Sequence, residues 1–175
     1  MTILNEELEW DDIASDDDRL AFKGAPQKIL LPHEMMLCRF ITTHSKIKDI
    51  PGNATFGSPW WTDWDTAFAE ITRWRTAWSS PRQIIRGRWA IPKRFSRELD
   101  SLVQIILTKP VYAWKGIARY QDDPIRLITY LGGAEQLFVP NLASNKGGLS
   151  SDMAYMHCFS SIESLNESNP QAEFN

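Results

Sequence analysis

Between residues 111 and 139 three short runs of strand-forming residues, 111–120, 125–130 and 135–139, follow one another with only Asp122-Asp123-Pro124 and Gly132-Gly133 as punctuation. Strands clustered this tightly, after a first half with helical periodicity, predict a mixed α+β domain over a regular βαβ array. Upstream, residues 35–43 follow Pro32 and read as the first core strand, with Arg39 interrupting the apolar run. Residues 62–65 offer capping side chains for a helix whose stripe is Ala67, Phe68, Ile71, Trp74 and Trp78, ending before Pro81. Residues 83–91 are expected as a strand stopped by Pro92, with Arg86 and Arg88 on one face. Residues 95–106 fit either a second helix or a buried strand over 103–107.

Hydrophobic content of 43% suits one compact domain, and no apolar run approaches the ~18 residues of a membrane span. The first residues lack the basic and apolar regions of a secretory signal, so a soluble, cytoplasmic chain without a membrane partner is expected. Cys38 and Cys158 form neither a disulfide framework nor a metal clip. With His33, His44 and His157 they lack ligand spacing, and no metal site is expected.

The net charge of −3 conceals a segregation. Residues 1–19 carry eight acids and one arginine, residues 160–175 carry three acids, and the body between them therefore bears an excess of +7. The expected organisation is a loose or peripheral acidic N-terminal segment over 1–24, one α+β domain over 25–159 and a polar tail over 160–175. Leu4, Leu8, Trp10 and Ile13 recur at near-helical spacing and can dock the N-terminal segment on the body. Between Ile71 and Arg97 lie eight basic residues and no acid, among them Arg73, Arg75, Arg82, Arg86, Arg88 and Arg94, interleaved with Trp74, Trp78, Trp89 and Phe95. Arginines contact phosphates and aromatic faces stack on unpaired bases, so this stretch is a candidate surface for a nucleic acid or another macromolecular target. A non-enzymatic binding module whose basic face is masked by the acidic N-terminus is the competing functional class.

Gly132-Gly133-Ala134-Glu135-Gln136 sets an acid and an amide at the mouth of a short apolar strand ending at Pro140. Side chains alternate along a strand, so Glu135 and Gln136 point to opposite sides and one of them can face a cleft. Tyr120-Gln121 stands at a strand end that can border such a cleft, while Gly116 before it marks a bulge or a close approach.

Arg39 in an early strand, Gly57-Ser58-Pro59-Trp60-Trp61-Thr62 leading into a helix, and a late Gly-Gly-x-Glu-Gln before Leu-Phe-Val-Pro together resemble the NAD-dependent ADP-ribosyltransferase superfamily over about residues 34–142. The resemblance implies a split β-sheet core with flanking helices and NAD as substrate. It further implies cofactor contacts from Arg39, Trp61 or Trp60, and Thr62, with Glu135 or Gln136 acting at the ribose. Mono-ADP-ribosyl transfer to a protein or nucleic acid, or NAD hydrolysis, is the implied chemistry, and a toxin, effector or phage-type modifier the implied role. Counted back from Pro140, the family's catalytic position falls on Gln136, one residue after the acid.

Overall fold

The computed structural model describes residues 2–42, 58–75, 79–93, 98–124, 126–143 and 149–166. Seven antiparallel strands form the main sheet: β1 (Gln27–Leu31), β2 (Met36–Ile41), β3 (Trp60–Asp63), β4 (Ser101–Leu107), β5 (Val111–Ile117), β8 (Glu135–Phe138) and β9 (Ala154–Ser161), in the order β1-β5-β8-β3-β2-β4-β9. A separate hairpin pairs β6 (Gln121–Asp123) with β7 (Ile128–Tyr130). The helices are α1 (Trp10–Ile13), α2 (Asp16–Ala21), α3 (Trp64–Trp74) and α4 (Pro81–Arg88). Few helices on a large antiparallel sheet make this an α+β fold, and among the described residues no helix is long and apolar enough to cross a membrane.

Residues 83–91 depart from expectation, since Pro81–Arg88 is helical and Arg86 and Arg88 do not share a strand face. The cause is local. Ser80 caps the helix by accepting the Gln83 N–H while the Gln83 side chain returns to the Ser80 N–H, and Pro81 sits in the first turn where no amide donor is needed. The helix of residues 62–78 starts later than its first capping candidate. Asp63, rather than Thr62, caps α3 by accepting the Thr66 N–H at 3.0 Å, and Trp78 lies outside the described residues. Of the two readings of residues 95–106, the buried strand is the one formed, as β4. Residues 160–166, expected in the tail, instead finish β9 and form a 3-10 helix over Ile162–Asn166, with Ile162 and Leu165 buried.

Strand alternation divides the core. Leu37, Val103, Ile105 and Leu137 face one side with Trp61, whereas Cys38, Phe40 and Leu102 face α3 and α4 and meet Trp64, Ile71, Ile85 and Trp89. That helical face of the sheet is covered in two halves. Helices α3 and α4 cover β2 and β4, and the N-terminal segment covers β5 and β8 through the Phe22, Trp114 and Phe138 cluster, against which Trp10 and Trp60 pack. Full burial of such side chains contributes about 2–3 kcal/mol each.

The N-terminal segment, expected to be loose or peripheral, is instead anchored, because its apolar residues dock on the body. Asn5 is buried, donating to the carbonyls of Tyr112 and Pro140 and accepting from Asn141. Trp10 meets Phe138 edge-on at 5.1 Å, and Lys28 Nζ donates to the carbonyls of Glu6 and Leu8. At the other end the Phe22 ring lies on Gly116, where a Cβ would stand 2.5 Å from Phe22 Cδ1. Gly116 thus marks a close approach, the second of its two expected readings.

Candidate functional site: a cleft where the sheet opens

Strands β2 and β3 pair only through Leu37 with Asp63 and Cys38 with Thr62. Beyond these rungs β2 runs on beside β4 through Phe40 and Ile41, while β3 stays with β8 through Trp60 and Trp61. A cavity of about 620 Å³ lies there, within the range of small-molecule sites. Its floor is made by Cys38, Phe40, Thr62 and Gln136, and one wall by Trp89, Ala90 and Ile91 after α4. The opposite wall is the N-terminal segment, through Asp17, Asp18, Leu20 and Ala21, with Arg119 and Gln121 beside it.

Arg39, Trp61, Thr62 and Gln136 all line this cavity. Arg39 Nη1 donates to the Ser58 carbonyl at 2.9 Å, bridging the opening between the strands, and the guanidinium stands 5.9 Å from the Trp61 ring. Burial pushes the Arg39 guanidinium down to about 10, because its charged form loses water. Trp61 is 3% exposed and its indole N–H is buried without a hydrogen-bond partner among the described residues, so a core role and a place in the cavity lining coincide in one side chain. Trp60 also lines the cavity while packing on Phe138 and Phe22.

Gln136 and Glu135 divide as strand geometry requires. Gln136 turns to the floor, is buried, and donates from Nε2 to the Ala21 carbonyl at 3.2 Å; its amide oxygen accepts no hydrogen bond from the described residues. Glu135 turns to the other face and pairs with Lys115 Nζ at 2.7 Å. The register that decides this is β8 on β5, with Glu135 opposite Ile117 and Gln136 opposite Gly116. Two donors pin it further, since Thr62 Oγ1 and Trp89 Nε1 both donate to the Glu135 carbonyl at 3.1 Å. Thr62 thus spends its proton on β8 and keeps only acceptor capacity for a ligand.

The basic-aromatic stretch is drawn largely into the fold. Arg88 pairs with Glu70, donates to the Gly132 carbonyl at 2.9 Å and stacks 4.6 Å from the Trp74 ring. Gly132 and Gly133 adopt φ of 71° and 97°, and a Cβ on Gly133 would lie 2.8 Å from Arg88 Nη1, so glycine is needed for both conformation and space. Arg88 and the glycine pair therefore form one device that aims β8. Arg86 is 8% exposed, donates to the Ile91 carbonyl and is held below the usual arginine range chiefly by burial. Arg82 pairs with Glu163 at 3.0 Å, and Arg75 donates to the Leu165 carbonyl. Arg73 is exposed, and Arg94 lies outside the described residues.

Chemically, the cavity combines cations (Arg39, Arg119), amides (Gln121, Gln136), aromatic faces (Trp60, Trp61, Trp89) and two carboxylates (Asp17, Asp18). Cys38 is no nucleophile candidate, because burial first and the nearby Asp63 second push its thiol well above the ordinary value. Sequence reasoning flagged Gln121 but missed Arg119 and the two aspartates. The aspartates sat in plain view within an acidic run, and only the anchoring of that run at Trp10 and Phe22 brings them to the cleft.

No family model matches this chain, and no curated protein matches it. Among solved structures, a chain from the structure of Tne2 in complex with Tni2 aligns with 81% of this chain and 96% of its own length, at 12% identity and a TM-score of 0.46. A chain from Rhs1-CT in complex with its cognate immunity protein RhsI1 aligns with 75% of this chain and 76% of its own, at 15% identity and a TM-score of 0.46.

Proposed function

We propose that this chain is an ADP-ribosyltransferase-like protein that binds NAD in the cleft between β2 and β3 and breaks its nicotinamide–ribose bond. The observation that carries the reading is convergence: Arg39, Trp61, Thr62 and Gln136, drawn from three distant parts of the sequence, line one cavity where the sheet opens. NAD presents a diphosphate, two ribose diols and an amide-bearing aromatic ring. Arg39 offers the diphosphate a charged fork, the tryptophans offer a ring face, and the open carbonyl of Gln136 offers a ribose hydroxyl an acceptor. Breakage of the C1′–N bond sends the electron pair to the nicotinamide nitrogen and leaves an oxocarbenium-like ribose, which water or a nucleophile of a macromolecular target then captures with loss of a proton. Transfer to such a target, in the manner of a toxin, effector or phage-type modifier, accords with the sequence resemblance.

The test is nicotinamide release from millimolar NAD by the purified chain, followed by chromatography, alongside Arg39→Met and Gln136→Ala. Release by the wild type, with both variants reduced at least ~10-fold, is expected from loss of a charged anchor and an orienting amide. A wild type that neither releases nicotinamide nor binds NAD would refute the proposal.

A further inference from the structure

An NAD-cleaving cleft needs negative charge near C1′, because positive charge develops there as nicotinamide departs. The acid that sequence reasoning offered is turned away: Glu135 is bound to Lys115 on the opposite face of β8. Gln136, which does face the cavity, is neutral. Among the cavity-lining residues the carboxylates are Asp17 and Asp18, both on α2 of the N-terminal segment.

These two aspartates are not equivalent. Asp18 is committed to the helix start, where Oδ2 accepts from the Ser15 N–H at 3.0 Å and from Ser15 Oγ at 2.7 Å. Asp17 makes no side-chain hydrogen bond or ion pair with any described residue. It is four residues before Ala21, so the two lie one above the other on the same helical face. Ala21 is the residue whose carbonyl accepts the Gln136 amide, and the Leu20 carbonyl accepts that of Gln121 at 3.4 Å. Asp17 thus projects from the wall one turn above the contact that fixes Gln136.

The cavity that Asp17 lines also holds Arg39, Arg119, Gln121 and Gln136, so the carboxylate stands in a recess with cations and amides. The wall itself is fixed, because α2 is held between the Trp10 and Phe22 anchors and by the Arg119 N–H donating to the Ala21 carbonyl at 2.8 Å.

We infer that Asp17 is a catalytic residue, supplying from the N-terminal segment the carboxylate that Glu135 does not. This rests on the reading of the cleft as an NAD site. In the reaction the C1′–N bond breaks with its electron pair leaving on nicotinamide, and Asp17 stabilises the ribose cation without bonding to it. The incoming water or target nucleophile bonds to C1′ and releases its proton to solvent. The acidic N-terminus is then a working wall of the cleft, contributing charge at the reacting carbon.

The experiment compares Asp17→Asn, Asp17→Glu, Asp18→Asn and Glu135→Gln in the full chain, reading nicotinamide release, NAD affinity by calorimetry and melting temperature for each. Asp17→Asn is expected to lose about 100-fold in release, the scale of removing one electrostatic stabiliser of a transition state. Its NAD affinity and melting temperature should stay near the wild type, Asp17→Glu should recover part of the rate, and Glu135→Gln should retain it. Release by Asp17→Asn equal to or above the wild type overturns the inference, as does loss of its NAD affinity in step with rate, which makes Asp17 a binding residue only. NAD binding by the wild type without any release overturns the catalytic role while leaving the cleft as an NAD site. Absence of NAD binding by the wild type removes the NAD reading itself and Asp17's role with it.

Discussion

Replacing Gly116 by alanine tests how the N-terminal wall of the cleft is held. The new Cβ would stand 2.5, 2.9 and 3.0 Å from Cδ1, Cε1 and Cγ of Phe22, whose ring is 1% exposed and touches Trp10 and Trp60. The ring must retreat by roughly 1 Å in a close-packed cluster, and overpacking of that kind costs about 1–3 kcal/mol. Alanine in place of a strand glycine returns about 0.5–1 kcal/mol of backbone entropy. The net loss is about 1–2 kcal/mol, or a melting temperature lower by roughly 3–8 °C for a domain of this size. A double-mutant cycle isolates the cause: with Phe22→Ala in the background, Gly116→Ala should become neutral or stabilising, giving a coupling of at least ~1 kcal/mol in urea denaturation. An equal cost of Gly116→Ala in both backgrounds would refute the claim that Phe22 on Gly116 anchors the segment.

Other substitutions probe the remaining joints. Gly133→Ala should cost about 2–3 kcal/mol in urea unfolding, because it combines a strained φ of 97° with a clash on Arg88, whereas Gly87→Ala, whose added methyl meets nothing within 4 Å inside α4, should stabilise by about 0.5–1 kcal/mol. Asn5→Ala leaves the Tyr112 and Pro140 carbonyls without their donor and should lower stability by about 2–3 kcal/mol, measured by thermal melting. Arg39→Met should lose NAD affinity at least ~10-fold in calorimetry, because it removes the charged fork from the cavity lining. The sign with pH follows from a guanidinium held at about 10 when folded, below its ordinary value: above that pH the unfolded chain binds more protons, so wild-type stability relative to Arg39→Met rises as pH climbs through 10.

The sequence made β2 legible because its strand-forming run is intact around Arg39, and made α3 legible because its stripe continues over three turns. It misled at residues 83–91, where the alternation of Arg86 and Arg88 imitates a strand while Ser80, Pro81 and Gln83 spell a helix start that carries more weight. The cleft was visible in part. Alternation along β8 stated that only one of Glu135 and Gln136 could face it, but the choice depends on the register of β8 against β5, which is a long-range pairing. Arg88 looked like surface charge and is a strut for the glycine turn, because the acid that pairs it, Glu70, belongs to another helix. The carboxylates on the cleft wall were hidden for the same reason: Asp17 reaches the cavity through anchors at Trp10 and Phe22, not through any motif of its own.

The central claim is that the opening between β2 and β3 binds NAD. Its most direct test is the melting temperature of the full chain titrated with NAD, beside Arg39→Met. At 100 times the dissociation constant a ligand that binds only the folded state adds about 2.7 kcal/mol, and so roughly 5–10 °C for a domain of this size. The account predicts such a rise in the wild type and its loss in Arg39→Met; a wild-type melting temperature unmoved by millimolar NAD would contradict it.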